Sequence, residues 1–263
     1  MQRPNMLILK NPHSVLAAIQ YRPEDVEQVI LPTQFPSEEG WAKVAQAAKA
    51  AKVKVTIGGG GRPAEGGRHG GRDRSRGDSE REGGRSSVAE ARVREREGIS
   101  AEELFDSAGE RSGGKGLWLA LDCLQDPQNV GAIFRAAAFF GVDGILVTQE
   151  RSAPLSSTVY DIACGGLEAV PFAMQINLQR AFEVAKKNGV WILGTSEHAK
   201  ENLFKVQRDR PWLMVLGNEE RGIRRLTEET CDLLCSIPAQ SSVVTSLNVS
   251  VAAGIGISHL AAR

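Results

Sequence analysis

Leu117-Trp-Leu-Ala-Leu121, running on into Asp122-Cys-Leu-Gln-Asp-Pro-Gln-Asn-Val-Gly-Ala-Ile-Phe-Arg135, is the stretch whose reading decides the fold. Five consecutive apolar residues without alternation mark a strand buried on both faces, as in parallel sheets. The run of Val, Gly, Ala, Ile and Phe over 129 to 141 has helix length. A strand passing directly into a helix is the repeating unit of an α/β domain. Outward from it, Gly144-Ile-Leu-Val-Thr148, Val190-Trp-Ile-Leu-Gly194 and Trp212-Leu-Met-Val-Leu216 repeat the buried-strand pattern, and Leu233-Leu-Cys-Ser-Ile237 is a shorter version. Helices are predicted between them at 156 to 168, 178 to 189 and 222 to 230. The expectation is a parallel sheet covered on both sides over residues 116–263.

Upstream, strands are predicted at Met6–Leu9, Glu27–Leu31 and Val53–Ile57. Helices are predicted at 12 to 19, with Asn11 as cap and Pro12 in its first turn, and at 37 to 52, opened by Ser37. Residues 1–57 therefore read as a small α/β unit. From Gly58 to Arg96 the composition breaks, with eleven Gly and ten Arg among acids and few apolar residues. Such a segment buries too little surface to offset its ordering entropy, so it is expected to be disordered. Residues 58–115 are read as this insertion plus a linker. Gly59-Gly-Gly-Arg-Pro-Ala64 formally fits a dinucleotide fingerprint, but no helix pattern follows it, which argues against that reading. The Arg/Gly tract is either a loose electrostatic grip on nucleic acid or a solvated linker.

Net charge is zero and the pI about 6.9, so any basic surface must be local. The first residues lack signal-peptide character and no apolar run reaches the length of a membrane span, so a cytoplasmic protein without membrane association is expected. The four Cys and four His lack metal-site spacing. Reduced thiols and no metal are expected.

Three groups of polar residues interrupt apolar surroundings. Ser246-Leu-Asn-Val-Ser250 opens an apolar C-terminal segment, and polar groups removed from water must find partners. Ser246 as a helix cap over ordinary core is the plain structural reading. Gly254 and Gly256, each costing about 1 kcal/mol in a helix, predict close approach of another backbone to a tightly buried helix. Arg135 is the only charged residue between Asp126 and Asp143. A guanidinium buried on that helix needs a partner or a ligand phosphate or hydroxyl, and the ligand is favoured. Asn129 sits where it caps the helix. Gly217-Asn-Glu219 follows a buried strand, at the edge where open α/β sheets bind ligands, although Glu219 also suits a helix first turn.

In this order the blocks 121–135, 213–223 with Ser236-Ile-Pro238, and 246–259 resemble the three motifs of the SpoU/TrmH family of RNA ribose 2′-O-methyltransferases, within the SPOUT superfamily. The resemblance covers residues 117–263 strongly and the N-terminal part weakly. Asn11-Pro-His13-Ser-Val15 keeps the His and Val of the family's Gly-x-His-x-Val opening, and His13 is read as either a structural hydrogen-bonder or an RNA contact. Glu220 stands where the family commonly has Gly, the connection 239–245 looks slightly long, and the insertion 58–96 is a departure.

The resemblance implies a C-terminal domain with a trefoil knot, an N-terminal RNA substrate-binding domain and a homodimer. It implies S-adenosylmethionine as cofactor, held by backbone groups of Gly217, Ile237 and Leu247. It further implies Arg135 as the residue acting at the ribose 2′-hydroxyl, by activation or by positioning, in its own or the partner's site. Asn129, Glu219, Ser246 and Asn248 complete the set. The substrate implied is RNA, with a guanosine of large-subunit rRNA first. The alternatives are tRNA or resistance-site rRNA as substrate, and a non-catalytic RNA binder on the same fold.

Overall fold

The computed structural model describes residues 5–32, 39–58 and 89–261. Ser37, the Gly59–Ala64 fingerprint and most of the Arg/Gly tract lie outside them.

Two sheets share one hydrophobic core. The first holds β1 (Met6–Leu9), β2 (Val26–Leu31), β3 (Val55–Ile57) and β4 (Glu90–Arg94), in the order β1-β4-β2-β3. α1 (Pro12–Tyr21) and α2 (Glu39–Ala50) connect its first three strands, and Asn11 caps α1 by accepting from the His13 amide. β4 corrects the expectation of disorder through residue 96. Ala91 and Val93 are fully buried and alternate with exposed Arg92 and Arg94, a period-two pattern that the surrounding charge hid. It pairs antiparallel with both β1 and β2, so the first unit extends past residue 57.

The second unit begins with α3 (Ala101–Phe105), opened by a reciprocal Ser100–Glu103 capping box. Then come β5 (Leu117–Asp122), α4 (Pro127–Phe140), β6 (Gly144–Thr148), α5 (Ser157–Ala163), α6 (Gly166–Ala169), β7 (Phe172–Gln175) and α7 (Leu178–Lys187). β8 (Trp191–Thr195), β9 (Glu201–Asn202), β10 (Trp212–Gly217), α8 (Arg225–Thr230), β11 (Leu233–Ser236) and α9 (Val249–Ala261) follow. The sheet is parallel in every pairing, in the order β7-β6-β5-β10-β8-β11-β9. β5, β6 and β10 are buried at every position, as their unbroken apolar runs require. α4 and α9 pack on one face, α3 and α7 on the other.

The helix predicted at 156 to 168 is two, broken at Cys164 (φ 49°) and Gly165 (φ 95°), where a Cβ on Gly165 would press on Ala17 of α1. This break is where the two units dock. The open edge of β1 is closed by side chains of the second unit: Ser157 Oγ accepts from Ile8 N (3.0 Å), and the Asp161 carboxylate accepts from Lys10 N (3.0 Å) and Asn11 N (3.0 Å). Beneath them Arg22 Nε and Nη2 donate to the two oxygens of buried Glu168, both at 2.7 Å. Burial alone would lower the Arg22 pKa, but Glu168 more than reverses this and holds the guanidinium charged. Arg96 donates to the carbonyls of Leu167 and Val170, and its amide donates to the Tyr160 hydroxyl, whose pKa burial pushes up to about 12.

The expected close approach of another backbone to Gly254 and Gly256 is corrected, since only Gly256 is crowded and the atoms that crowd it are side chains. A Cβ on Gly256 would come within 2.5 Å of Met214 Sδ, whereas Gly254 has nothing within 4 Å. The helix is not tightly buried all round, since Val251 and Ser258 face outward. No helix among the described residues is long and apolar enough to cross a membrane.

Candidate active site

β5, β10, β8 and β11 end at one edge of the sheet, where Asp122 is paired with Gly217 and Thr195 with Cys235. Carboxyl edges of parallel sheets are the ligand-binding edges of open α/β folds, because the loops there splay apart while strand ends present free backbone groups. Gly217 pairs with Asp122 and the chain then folds back, closing an Asn218–Gly222 bridge with Gly222 at φ 67°. A Cβ on Gly217 would overlap the backbone of Gly222 and Ile223, so only glycine allows this hairpin.

The hairpin is riveted to the loop after β5. Asn218 Nδ2 donates to Cys123 O (2.9 Å), and its Oδ1 accepts from the amides of Glu220 and Arg221. Glu219 lays its carboxylate against the start of α4, accepting from Gln125 N (3.3 Å), Asp126 N (3.2 Å) and Asn129 Nδ2 (3.0 Å). Burial pushes the Glu219 carboxyl pKa up, but the Asn129 amide and the backbone amides outweigh it and leave it below the usual carboxylate range. Glu219 is thus an ionised acceptor at neutral pH.

Asn129 is not the cap of α4, as its position suggests. Asp126 takes that role by accepting from Gln128 N, with Pro127 behind it. Asn129 is left inside the first turn, buried, and free to bridge. While Nδ2 donates to Glu219, Oδ1 accepts from Asn248 Nδ2 (3.0 Å). Asn248 Oδ1 in turn accepts from Ser250 N (2.8 Å) and Ser250 Oγ (2.6 Å). Because a carboxylate only accepts, both amides have one admissible orientation, and the donors run one way from Ser250 through Asn248 and Asn129 to Glu219. Asn248, rather than Ser246, turns the chain into α9.

The remaining candidates are placed differently. Ser246 is exposed with no hydrogen-bond partner among the described residues. Ile237 is half-buried just beyond β11, and Leu247 is exposed beside Asn248. Arg135 is exposed, not buried, and has no hydrogen-bond or ion-pair partner among the described residues. It lies six residues beyond Asn129 on α4, on the exposed stripe with Gln128 and Phe139, so it does not touch the Asn129 cluster. The apolar neighbours that suggested burial pack on the other faces of the helix. His13 is also exposed, and its ring makes no hydrogen bond among the described residues. The four cysteines are free, Cys123 and Cys235 buried and the other two half-buried. No group of His, Cys, Asp or Glu among the described residues has the makings of a metal site.

Asp122 escaped the sequence reading. It is fully buried at the end of β5, where Oδ2 accepts from Arg224 N (3.2 Å) and Oδ1 from Arg224 Nε (2.6 Å). A lone acid closing an apolar strand was the available signal.

Fold and site together define an α/β protein with a glycine hairpin, a carboxylate and two amides gathered at the ligand-binding edge of a parallel sheet. The model of the SpoU rRNA Methylase family matches residues 116–258, and the chain belongs to that family. It is 41% identical over 157 residues to the 23S rRNA (guanosine-2′-O-)-methyltransferase RlmB of Pseudomonas aeruginosa, covering 60% of this chain and 63% of that protein. To the protein of the same name from Nitrosomonas europaea it is 48% identical over 139 residues, 53% of each chain. These matches span less than two thirds of the relatives' own length. The crystal structure of the SpoU methyltransferase AviRb from Streptomyces viridochromogenes shares the fold, with a TM-score of 0.73 over 97% of this chain and 88% of that one at 17% identity.

Proposed function

We propose that this chain transfers a methyl group from S-adenosylmethionine to a ribose 2′-hydroxyl of RNA, with a guanosine of 23S rRNA as the substrate. The observation that carries the reading is the Ser250–Asn248–Asn129–Glu219 relay, which ties together all three sequence blocks at the ligand-binding edge. Family membership and the names of the relatives support the chemistry and the substrate. The residues fit the cofactor. Gly217 at the end of β10, and Ile237 and Leu247 on loops beyond the strands, offer backbone groups, and a side chain at position 217 would displace the Gly222–Ile223 backbone of the hairpin. The cofactor supplies an electrophilic methyl on a sulfonium, and no metal is needed for its displacement.

The protein's part is alignment and electrostatics. Glu219, already ionised, fixes the Asn129 amide, Asn129 fixes Asn248, and the start of α9 is thereby held against α4. Arg135, with no partner of its own among the described residues, is the cation that meets the RNA and positions the 2′-hydroxyl for in-line attack. Ser246 completes the substrate side of the cleft.

Several structural readings belong to the same proposal. The C-terminal segment leaves β11 and returns to α4, β5 and β10, a path that suits a trefoil knot. A second copy covers the exposed stripe of α4, where Phe139 is 82% exposed one turn from Arg135, together with Val251 on α9. Arg135 then serves the partner's cleft. The N-terminal sheet unit grips RNA and the protein acts in the cytoplasm.

The test is incubation with methyl-labelled S-adenosylmethionine and protein-free total RNA, beside Asn129→Ala and Arg135→Ala, with label mapped by nuclease-resistant 2′-O-methyl dinucleotides. Label in 23S rRNA that falls in both variants is the expected result. Absence of label from free RNA, ribosomal subunits and tRNA, despite RNA binding, would leave an RNA-binding protein instead.

A further inference from the structure

The arginines of the described residues are held in different ways. Arg22 is spent on protein groups, since Nε and Nη2 meet Glu168 and Nη1 meets Arg94 O and Asp25. Arg210 lies side-on to Asp209 through Nε and Nη2. Arg224 is anchored at one point. Its Nε donates to Asp122 Oδ1 at 2.6 Å and its backbone amide to Oδ2 at 3.2 Å, and neither terminal nitrogen closes a side-on fork on the carboxylate. The two terminal nitrogens, with four N–H donors, have no partner among the described residues, and the side chain is 44% exposed.

The anchor itself is unusual. Asp122 is wholly removed from water, and a carboxylate in that position is costly unless its partner is fixed. It sits in register with Gly217, in the layer of the sheet where the hairpin begins. Arg224 ends that hairpin, between exposed Arg221 and Arg225. A guanidinium held by Nε from below, with its planar fork turned outward, is preorganised for a bidentate oxyanion.

We propose that Arg224, positioned by Asp122, binds an oxyanion in the cleft: a phosphate of the RNA beside the target ribose, or the carboxylate of the cofactor. The inference rests on the methyl-transfer reading above and adds a binding residue to it.

The experiment uses the full chain and three variants, Arg224→Gln, Arg224→Lys and Asp122→Asn, each checked for thermal midpoint. Three affinities are measured: S-adenosylmethionine, its decarboxylated analogue, and an rRNA fragment over a range of salt. If the anion is the carboxylate, Arg224→Gln weakens S-adenosylmethionine about ten- to a hundredfold and no longer distinguishes it from the decarboxylated analogue. If it is a phosphate, cofactor affinity holds, RNA affinity falls, and the slope of log K against log salt drops by about 0.7. In either case Arg224→Lys retains part of the binding, and Asp122→Asn moves the same readout in the same direction while the Arg224 charge remains. A purely structural role would lower the midpoint and leave the slope and the analogue discrimination untouched.

Affinities, slope and discrimination all within about twofold of the parent in Arg224→Gln would overturn the proposal. Should Arg224→Gln not fold, the same comparison in Arg224→Lys and Asp122→Asn decides it. A parent protein that binds neither S-adenosylmethionine nor RNA would overturn the methyl-transfer reading and this inference with it. A parent that binds both beside an unchanged variant overturns this inference alone.

Discussion

Asn129→Asp replaces one amide nitrogen by oxygen and changes little else in shape. In the parent, Asn129 Nδ2 lies 3.0 Å from Glu219 Oε1 as a donor to an ionised carboxylate. In the variant two carboxylates face each other across that gap. Coulomb's law at 3 Å gives about 5 kcal/mol of repulsion at an effective dielectric of 20 and about 1.4 kcal/mol in bulk water. Partial solvation of Glu219 favours the lower half of that range, so a loss of about 1–3 kcal/mol at neutral pH is expected. The system relieves it by sharing one proton, which raises one folded-state pKa above its unfolded value.

The signs follow by linkage. In the parent, the depressed Glu219 pKa contributes stability that is present above the unfolded carboxyl pKa and lost as pH falls through the folded value. In the variant the pair carries a raised pKa, so its contribution is retained at low pH and lost as pH rises through the folded value. Urea midpoints of parent, Asn129→Asp and Asn129→Ala, measured between about pH 4.5 and 8, separate the cases. The deficit of Asn129→Asp relative to Asn129→Ala should grow with pH. A constant difference across the range would mean that position 129 does not face the Glu219 carboxylate, and the relay argument would fall.

Glu168→Ala leaves the Arg22 guanidinium buried without its bidentate partner, and about 3–5 kcal/mol of stability should be lost in urea titrations followed by circular dichroism. Gly254→Ala should raise the thermal midpoint through helix propensity worth about 1 kcal/mol, since open space surrounds that position, whereas Gly256→Ala must displace Met214 and should lower it. If α9 is covered by a second copy, Gly254→Ala should also weaken association in analytical ultracentrifugation. Gly217→Ala forces the Gly222–Ile223 backbone away from β10, so calorimetric affinity for S-adenosylmethionine should fall at least about tenfold.

The buried strands were legible because a parallel sheet imposes burial on both faces, which writes an unbroken apolar run into each of them. Residues 117–122, 144–148 and 212–217 could take no other half-solvated form. β4 was not legible, because its two buried residues stand among arginines and acids and its partners β1 and β2 lie far back in the chain. The asparagines and the carboxylate of the site were legible as polar residues in apolar surroundings. Their roles were not, since capping and bridging require the same residue types.

The sequence by itself determined the alternation of strands and helices, the glycine at the hairpin and the identity of the polar residues, all of which depend on neighbours a few positions away. Tertiary structure decided that Asp126 takes the cap and frees Asn129, because that choice depends on Glu219 arriving 90 residues later and Asn248 arriving 119 residues later. It also decided which side of α4 faces water. A helix as apolar as 127–140 carries no strong mark of its outer face, and only the packing of α5, α6 and α9 around it leaves Arg135 and Phe139 outside.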